Sequence, residues 1–227
     1  MNYDGVNPVT YDLLVDTNFY LSSFGVDQHN ELYAIHHSES TGKIYKLVNE
    51  SRVTVNLKVI LEGHYNFPVN ILNKRDTVKA YLYSSATNEL TDSAETIIDS
   101  LTFNGLFTFQ NAPSGRYFIT VKHKNGLETW SKSGGEILSR GTVVDYDFTL
   151  DPAQALGNNL KLVGTKYCVI SGDCNQDGII NAIDRATIVI QSGLTGFYLG
   201  DLDGNGIVDD IDKTMVISNL GKSKMTP

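Results

Sequence analysis

Cysteine is scarce: the 227 residues hold two, Cys168 and Cys174, too few for a disulfide framework, though they could pair in an oxidising compartment. Long apolar runs are missing as well. None approaches the roughly 20 residues that cross a bilayer, so no helical membrane span is expected. The opening Met1-Asn2-Tyr3-Asp4-Gly5 has neither the basic start nor the apolar core of a secretory signal. That predicts either an intracellular protein or a chain that has lost an original N-terminus. Basic residues are almost absent from one stretch: between Ser171 and Asp212 eight aspartates face a single Arg185, which places −7 of the net charge of −8 there. So concentrated an acidic segment argues against phosphate-backbone binding, so no nucleic-acid partner is expected, and points to a cation.

What is present is enough to fold. With 41% hydrophobic and 19% charged residues, the chain reads as globular, with room for one large domain or two to three small ones. Residues 1–50 carry strand-like runs at Thr10–Asp16, Phe19–Asp27, Leu32–Ile35 and Lys43–Val48, separated by Asp27-Gln28-His29-Asn30 and Ser40-Thr41-Gly42. Four short strands in succession predict a small antiparallel β-meander.

Residues 52–151 alternate more clearly. Val53, Val55, Leu57, Val59 and Leu61 share one face, with Thr54, Asn56, Lys58 and Glu62 on the other. Val144, Tyr146, Phe148 and Leu150 repeat the pattern, as do Tyr117, Ile119 and Val121. Strands are expected near 53–62, 77–83, 96–102, 105–110, 115–123, 126–131 and 142–150, a density that suggests a β-sandwich. A connector, 152–169, leads to a third region at 170–222. There the period changes, and helices are expected at about 182–192 and 210–220, with Ile211, Met215 and Leu220 on one stripe. The fold class is therefore mainly β: a meander and a sandwich, then a small α-helical module.

That module contains one pattern twice. Residues 173–184 and 201–212 both put oxygen-bearing side chains at positions 1, 3, 5, 9 and 12 and Gly at position 6. In the first loop these are Asp173, Asn175, Asp177, Asn181 and Asp184, with the carbonyl of Ile179 at position 7. In the second they are Asp201, Asp203, Asn205, Asp209 and Asp212, with the carbonyl of Ile207. Calcium takes six to eight oxygens, and this spacing wraps them round one ion. Gly178 and Gly206 permit the sharp turn, and position 12 closes the shell from the first turn of the following helix. Two copies in register, 28 residues apart, predict two bound calcium ions. Position 8 is apolar in both loops (Ile180 and Val208), so the loops are expected to pair back to back.

Three resemblances follow from these residues. The paired loops, with Asp at position 12 and no helix before either, resemble type I dockerin repeats. Those anchor secreted bacterial proteins, typically glycan-degrading enzymes, to cohesin domains. The resemblance implies calcium binding, a cohesin-type partner and an extracellular or cell-surface location. Positions 10 and 11 depart from it, with Ala182-Ile183 and Asp210-Ile211 where cellulosomal dockerins commonly carry Ser-Thr-like pairs that help to contact cohesin. The run Gly105-Leu106-Phe107-Thr108-Phe109-Gln110-Asn111-Ala112-Pro113-Ser114-Gly115-Arg116-Tyr117 resembles prealbumin-like sandwiches, such as carboxypeptidase regulatory-like and collagen-adhesin B-type domains. Pro113 presets the turn, Gly115 relieves it, and Phe107, Phe109 and Tyr117 can fill one core. Ser23-Phe24-Gly25-Val26-Asp27, Glu31-Leu32-Tyr33 and Gly42-Lys43-Ile44-Tyr45-Lys46-Leu47 resemble the last blade of glucose/sorbosone-type dehydrogenase propellers, which bind pyrroloquinoline quinone. This makes the chain look like the C-terminal remnant of a larger secreted protein.

No catalytic set emerges. His36 and His37 point to opposite faces of a strand, His29 falls in a turn, and His64 and His123 sit at strand ends. Trp130 could stack a sugar or pack in the core. The sequence therefore predicts a non-catalytic, calcium-ordered attachment or spacer region. Its partner is either a cohesin-like protein or the chain's own sandwich. The alternatives are a fragment of a quinone-dependent sugar dehydrogenase and a carbohydrate-binding accessory module.

Overall fold

The computed structural model describes residues 21–26, 32–37, 42–46 and 52–227. The protein is mainly β, with several small sheets and two helices near the C-terminus. Residues 1–49 and 50–227 are separate compact units. In the first, β1 (Leu21–Val26), β2 (Leu32–His37) and β3 (Gly42–Lys46) form an antiparallel sheet in the order β1-β2-β3. The expected strand at Thr10–Asp16 and the turn holding His29 lie outside the described residues.

The second unit begins with strands that pack face to face. One sheet has the order β13-β4-β9, from β4 (Val53–Lys58), β9 (Asn104–Phe109) and β13 (Val143–Asp147). β4 runs antiparallel to β9, pairing Val55 with Phe107, and parallel to β13, pairing Leu57 with Tyr146. The other sheet has the order β11-β10-β7-β8, with β12 also on β10. Its strands are β7 (Thr77–Ser84), β8 (Leu90–Ile97), β10 (Gly115–His123), β11 (Gly126–Trp130) and β12 (Glu136–Leu138). Two-residue strands β5 (Tyr65–Asn66) and β6 (Ile71–Leu72) make a small ribbon at the side.

Period-2 alternation explains what lies between the sheets. Val53, Val55, Leu57, Phe107, Phe109, Tyr146 and Phe148 from one layer meet Val78, Ala80, Leu82, Tyr117, Ile119 and Val121 from the other in one buried cluster. Each large side chain there contributes about 1.5–3 kcal/mol by leaving water. The Phe107–Phe109–Tyr117 grouping is thus present as the sequence implied. Tyr117 also donates its hydroxyl to the Pro113 carbonyl at 2.8 Å, locking the turn that precedes its own strand. Tyr117→Phe is expected to lower stability by about 1 kcal/mol in denaturant unfolding, the net worth of one such bond. Gly115 has a different role from the one expected. It opens β10 beneath the Tyr117 ring, where a Cβ would stand 3.2 Å from ring atoms.

Several expected boundaries are corrected. The strand placed at 96–102 lies at β8 instead, and residues 98–103 turn. Asp99 drives the turn, accepting hydrogen bonds from the backbone N–H groups of Leu101 and Thr102 and from the Thr102 hydroxyl. β4 stops at Lys58 rather than 62, and Glu62, assigned to the outer face, is 8% exposed. β13 stops at Asp147, and Leu150, assigned inward, is 64% exposed. The connector has structure of its own. Two short 3-10 turns, Pro152–Gln154 and Leu156–Asn158, precede a hairpin of β14 (Lys161–Val163) and β15 (Lys166–Cys168). Cys168 is buried in the sandwich core and Cys174 in the module core, each a free thiol.

Candidate metal centre

Helices α1 (Ala182–Gln191) and α2 (Asp210–Ser218) follow the two loops. Each starts at a residue from position 9 of its loop. Asn181 accepts from Ile183 N–H and Asp209 from Ile211 N–H, both at 2.7 Å. The position-12 carboxylate answers from N3: Asp184 accepts from Asn181 N–H and Asp212 from Asp209 N–H, both at 2.8 Å. These are capping boxes, formed by the residues that the spacing assigned to a cation.

The remaining contacts repeat almost bond for bond. Asp184 takes a second hydrogen bond from Cys174 N–H at 2.8 Å, and Asp212 from Leu202 N–H at 2.7 Å. The position-1 aspartates accept from the glycine at position 6 across the loop, Asp173 from Gly178 N–H at 3.0 Å and Asp201 from Gly206 N–H at 3.1 Å. Both glycines have φ of +88°, a conformation that other residues rarely adopt. Asn175 and Asp177 bond to each other in the first loop, as do Asp203 and Asn205 in the second.

What these bonds leave over is informative. Asp173 Oδ1 and Asp201 Oδ1, the same atom in each loop, are buried with no hydrogen-bond partner. A buried carboxylate oxygen without a donor is costly. In the second loop, one oxygen each of Asp201, Asp203 and Asp212 lies within 4.8 Å of the others. Burial holds the Asp173, Asp203 and Asp212 carboxyls above their ordinary value, and neighbouring carboxylates add to it: Asp184 and Asp177 for Asp173, Asp212 and Asp201 for Asp203, and Asp201 for Asp212. Converging oxygens, an unpartnered carboxylate atom and like-charge crowding make a donor set suited to a hard cation. Side chains at positions 1, 3, 5, 9 and 12 and the carbonyls of Ile179 and Ile207 are the groups available to hold one in each loop.

The inward face of α2 corrects the expected stripe. Met215 packs against the core as expected, but its buried neighbours are Asp212, Val216 and Asn219, while Ile211 and Leu220 are exposed. The position-12 carboxylate must face the loop, and that fixes the helix rotation one step from the apolar reading. The loops do not pair back to back either. Ile180 N–H donates to Lys222 O and Ile180 O accepts from Gly221 N–H, at 2.8 and 2.9 Å. Val208 N–H donates to Leu194 O and Val208 O accepts from Gly193 N–H, at 3.0 and 2.8 Å. Each loop thus pairs with the segment leaving the other loop's helix, and only the Ile180 and Val208 side chains share one core.

That core is shared with the sandwich. Leu127 of β11 packs among Ile170, Cys174, Ile180, Ile188, Leu202, Val208 and Val216. Asn125 donates to the carbonyl of Asp201 at 2.9 Å, and Gln176 to that of Gly126 at 3.2 Å. Glu62 is the polar clamp: Lys161 Nζ lies 2.5 Å from Oε1, while Asn219 Nδ2 and Ser171 N–H donate to Oε2 at 2.7 and 3.1 Å. The double-loop module is therefore docked on the sandwich within the chain.

No family model matches the sequence, and no curated protein matches it. Among solved structures, a chain of a type II cohesin–X-dockerin complex from Acetivibrio cellulolyticus with a mutated C-terminal interface is similar at 18% identity. The match covers 75% of this chain and 96% of that one, with a TM-score of 0.45. A chain of the matching N-terminal interface mutant is 18% identical over 76% and 95%, with a TM-score of 0.39. At 18% identity and these TM-scores, neither match carries function to this chain.

Other sequence candidates resolve on geometry. Trp130 is 6% exposed, lies 4.4 Å centroid to centroid from Tyr83, and donates to Glu128 Oε1 at 2.7 Å, so it is packing rather than an open sugar platform. Burial, then Asp184, Asp173 and Asp212, push the Cys174 thiol up to about 12, which keeps it protonated and non-nucleophilic at neutral pH. Sequence reasoning missed one grouping. His64 and His123, both taken as isolated strand-end residues, lie with ring centroids 5.2 Å apart beside Asp76. Nothing in the chain pattern links three residues so far apart in sequence.

Proposed function

We propose that residues 170–222 are a dockerin-like module that binds two calcium ions, one per loop, and that calcium orders it against the sandwich. The observation that carries this reading is the unpartnered, buried Oδ1 of Asp173 and its counterpart on Asp201. A hard cation satisfies both atoms and offsets the crowding of carboxylates around them. On this reading the chain is a non-catalytic attachment or spacer region of a secreted bacterial protein, working outside the cell where calcium is plentiful.

A partner outside the chain would meet the helix faces that the sandwich leaves open. These expose Ile183 and Ile211, both at loop position 11, with Ile190 and Ile217 beyond them. An apolar pair at position 11 favours a cohesin-type surface different from one that reads Ser-Thr. Docking within the chain alone is the second reading, favoured by the Glu62 clamp.

Calorimetric titration of chelator-treated protein is expected to give about two calcium ions per chain, and one in Asp201→Ala. Absence of binding at millimolar calcium would sink the proposal. Calcium-dependent capture of purified cohesins would then separate the readings, because docking within the chain alone predicts none.

A further inference from the structure

We propose that His64, Asp76 and His123 form a separate binding site for a transition-metal dication of the zinc class, at the seam between the sandwich and the second loop. One donor atom from each lies within 4.8 Å of the other two. His64 is 1% exposed, and neither of its ring nitrogens has a hydrogen-bond partner. An imidazole this deep with two idle nitrogens lacks a structural explanation, since buried polar atoms are nearly always paired. A metal ion supplies the missing partner.

The neighbours are arranged as an outer shell. His123 Nδ1 sits 2.9 Å from Asn125 Oδ1, which accepts only from an N–H, so Nδ1 carries a proton and Nε2 is the nitrogen turned toward Asp76 and a metal. Nε2 lies 3.3 Å from Asp76 Oδ2 without hydrogen-bond geometry. Asp76 Oδ1 accepts from Thr77 N–H at 2.8 Å, which orients the carboxylate. Two imidazoles and a carboxylate are a common zinc donor set, with ligand distances of about 2.0–2.2 Å and a fourth position left over. Closing on an ion requires the three donors to approach by about an ångström, within reach of side-chain rotation.

Two lysines oppose a dication. Lys124 Nζ lies 3.0 Å from Asp76 Oδ2, and Lys74 Nζ lies 4.0 Å away, above the Phe197 ring at 4.4 Å. The Lys124 side chain is one-third exposed, so its ammonium can swing into water and release Oδ2. Lys124 therefore sets the affinity, and its removal should tighten binding. The site also touches the second loop, since Asn125 bonds to Asp201 O and a Cβ on Gly204 would stand 2.9 Å from His64 Nε2.

The test uses the full chain in saturating calcium, titrated with zinc by calorimetry and with cobalt(II) by visible absorption. One zinc ion per chain and an intense tetrahedral cobalt spectrum are expected. His64→Gln and His123→Gln should each weaken zinc about 100-fold or more, beyond the roughly 10–100-fold expected for loss of an outer-shell partner. Lys124→Gln should tighten it about tenfold, by removing one like charge. Calcium binding by each variant checks that it has folded. Absence of zinc binding in saturating calcium, or equal binding by wild type and both histidine variants, overturns the site and leaves the calcium proposal untouched.

Discussion

Treatment with EGTA is expected to split one thermal transition into two, melting residues 170–222 well before the sandwich. The module's own core is eight buried residues, one of them Leu127 borrowed from β11, whereas the sandwich core is far larger. A core that small seldom holds a fold without a staple. If free calcium exceeds the dissociation constant a thousandfold, each site adds about 4 kcal/mol. The pH dependence follows from the raised carboxyls of Asp173, Asp203 and Asp212. In the metal-free fold, a raised carboxyl contributes stability that is present below the unfolded value of 3.8 and lost as pH rises through the higher folded value. Bound calcium keeps the same groups ionised and removes that loss. The gap in melting temperature between calcium-loaded protein and protein stripped of calcium beforehand and held in calcium-free buffer should therefore widen from pH 4 to pH 7, and a constant or shrinking gap would count against carboxylate ligation.

Gly63→Ala should be the most damaging single substitution at the seam. A Cβ on Gly63 would lie 2.0 Å from the carbonyl oxygen of Leu202 and 2.7 Å from its carbon. Those are backbone atoms, so no rotamer relieves the overlap, and the Gly63 N–H that donates to Ser171 Oγ at 3.2 Å would be displaced as well. Leu202 stands between Asp201 and Asp203, so any shift reaches the second loop. A loss of more than about 3 kcal/mol in denaturant unfolding is expected, at the upper end for overpacking. The second loop's calcium affinity should fall while the first keeps its own. Gly126→Ala, in the same unit and with no atom nearer than 3.4 Å to the added Cβ, is the matched control and should cost less than about 1 kcal/mol. Equal stability of the two variants would mean that the close approach of Gly63 to Leu202 is absent in solution.

The parts legible in sequence are those where local chemistry dictates local structure. The two loops and the helices after them could be placed to within a residue or two, because the positions the spacing assigns to a cation also cap the helices, in Asn181, Asp184, Asp209 and Asp212. The alternating strands β4 and β10 were legible for the same reason. β8 was not, since Thr91, Asp92, Ser93 and Glu95 belong to an edge strand with no apolar face to announce it. The Glu62 clamp, the His64–Asp76–His123 grouping and the pairing of each loop with the other's exit segment are contacts between distant positions. No period along the chain encodes them, so they become visible only once the layers are stacked.

The exchanged pairing of the loops bears on the order in which the chain can fold. Ile180 finds both backbone partners at Gly221 and Lys222, some forty residues on. During synthesis the first loop emerges complete, with its helix, while its position-8 backbone still has nothing to bond. It stays open until Gly221 and Lys222 leave the ribosome, although the sandwich beneath it can already be formed. A chain stopped after Ser218 would hold every proposed calcium ligand of both loops and both helices and still lack the segment that closes the first. Residues 221–224 are thus a latch, and docking of the whole module waits on them.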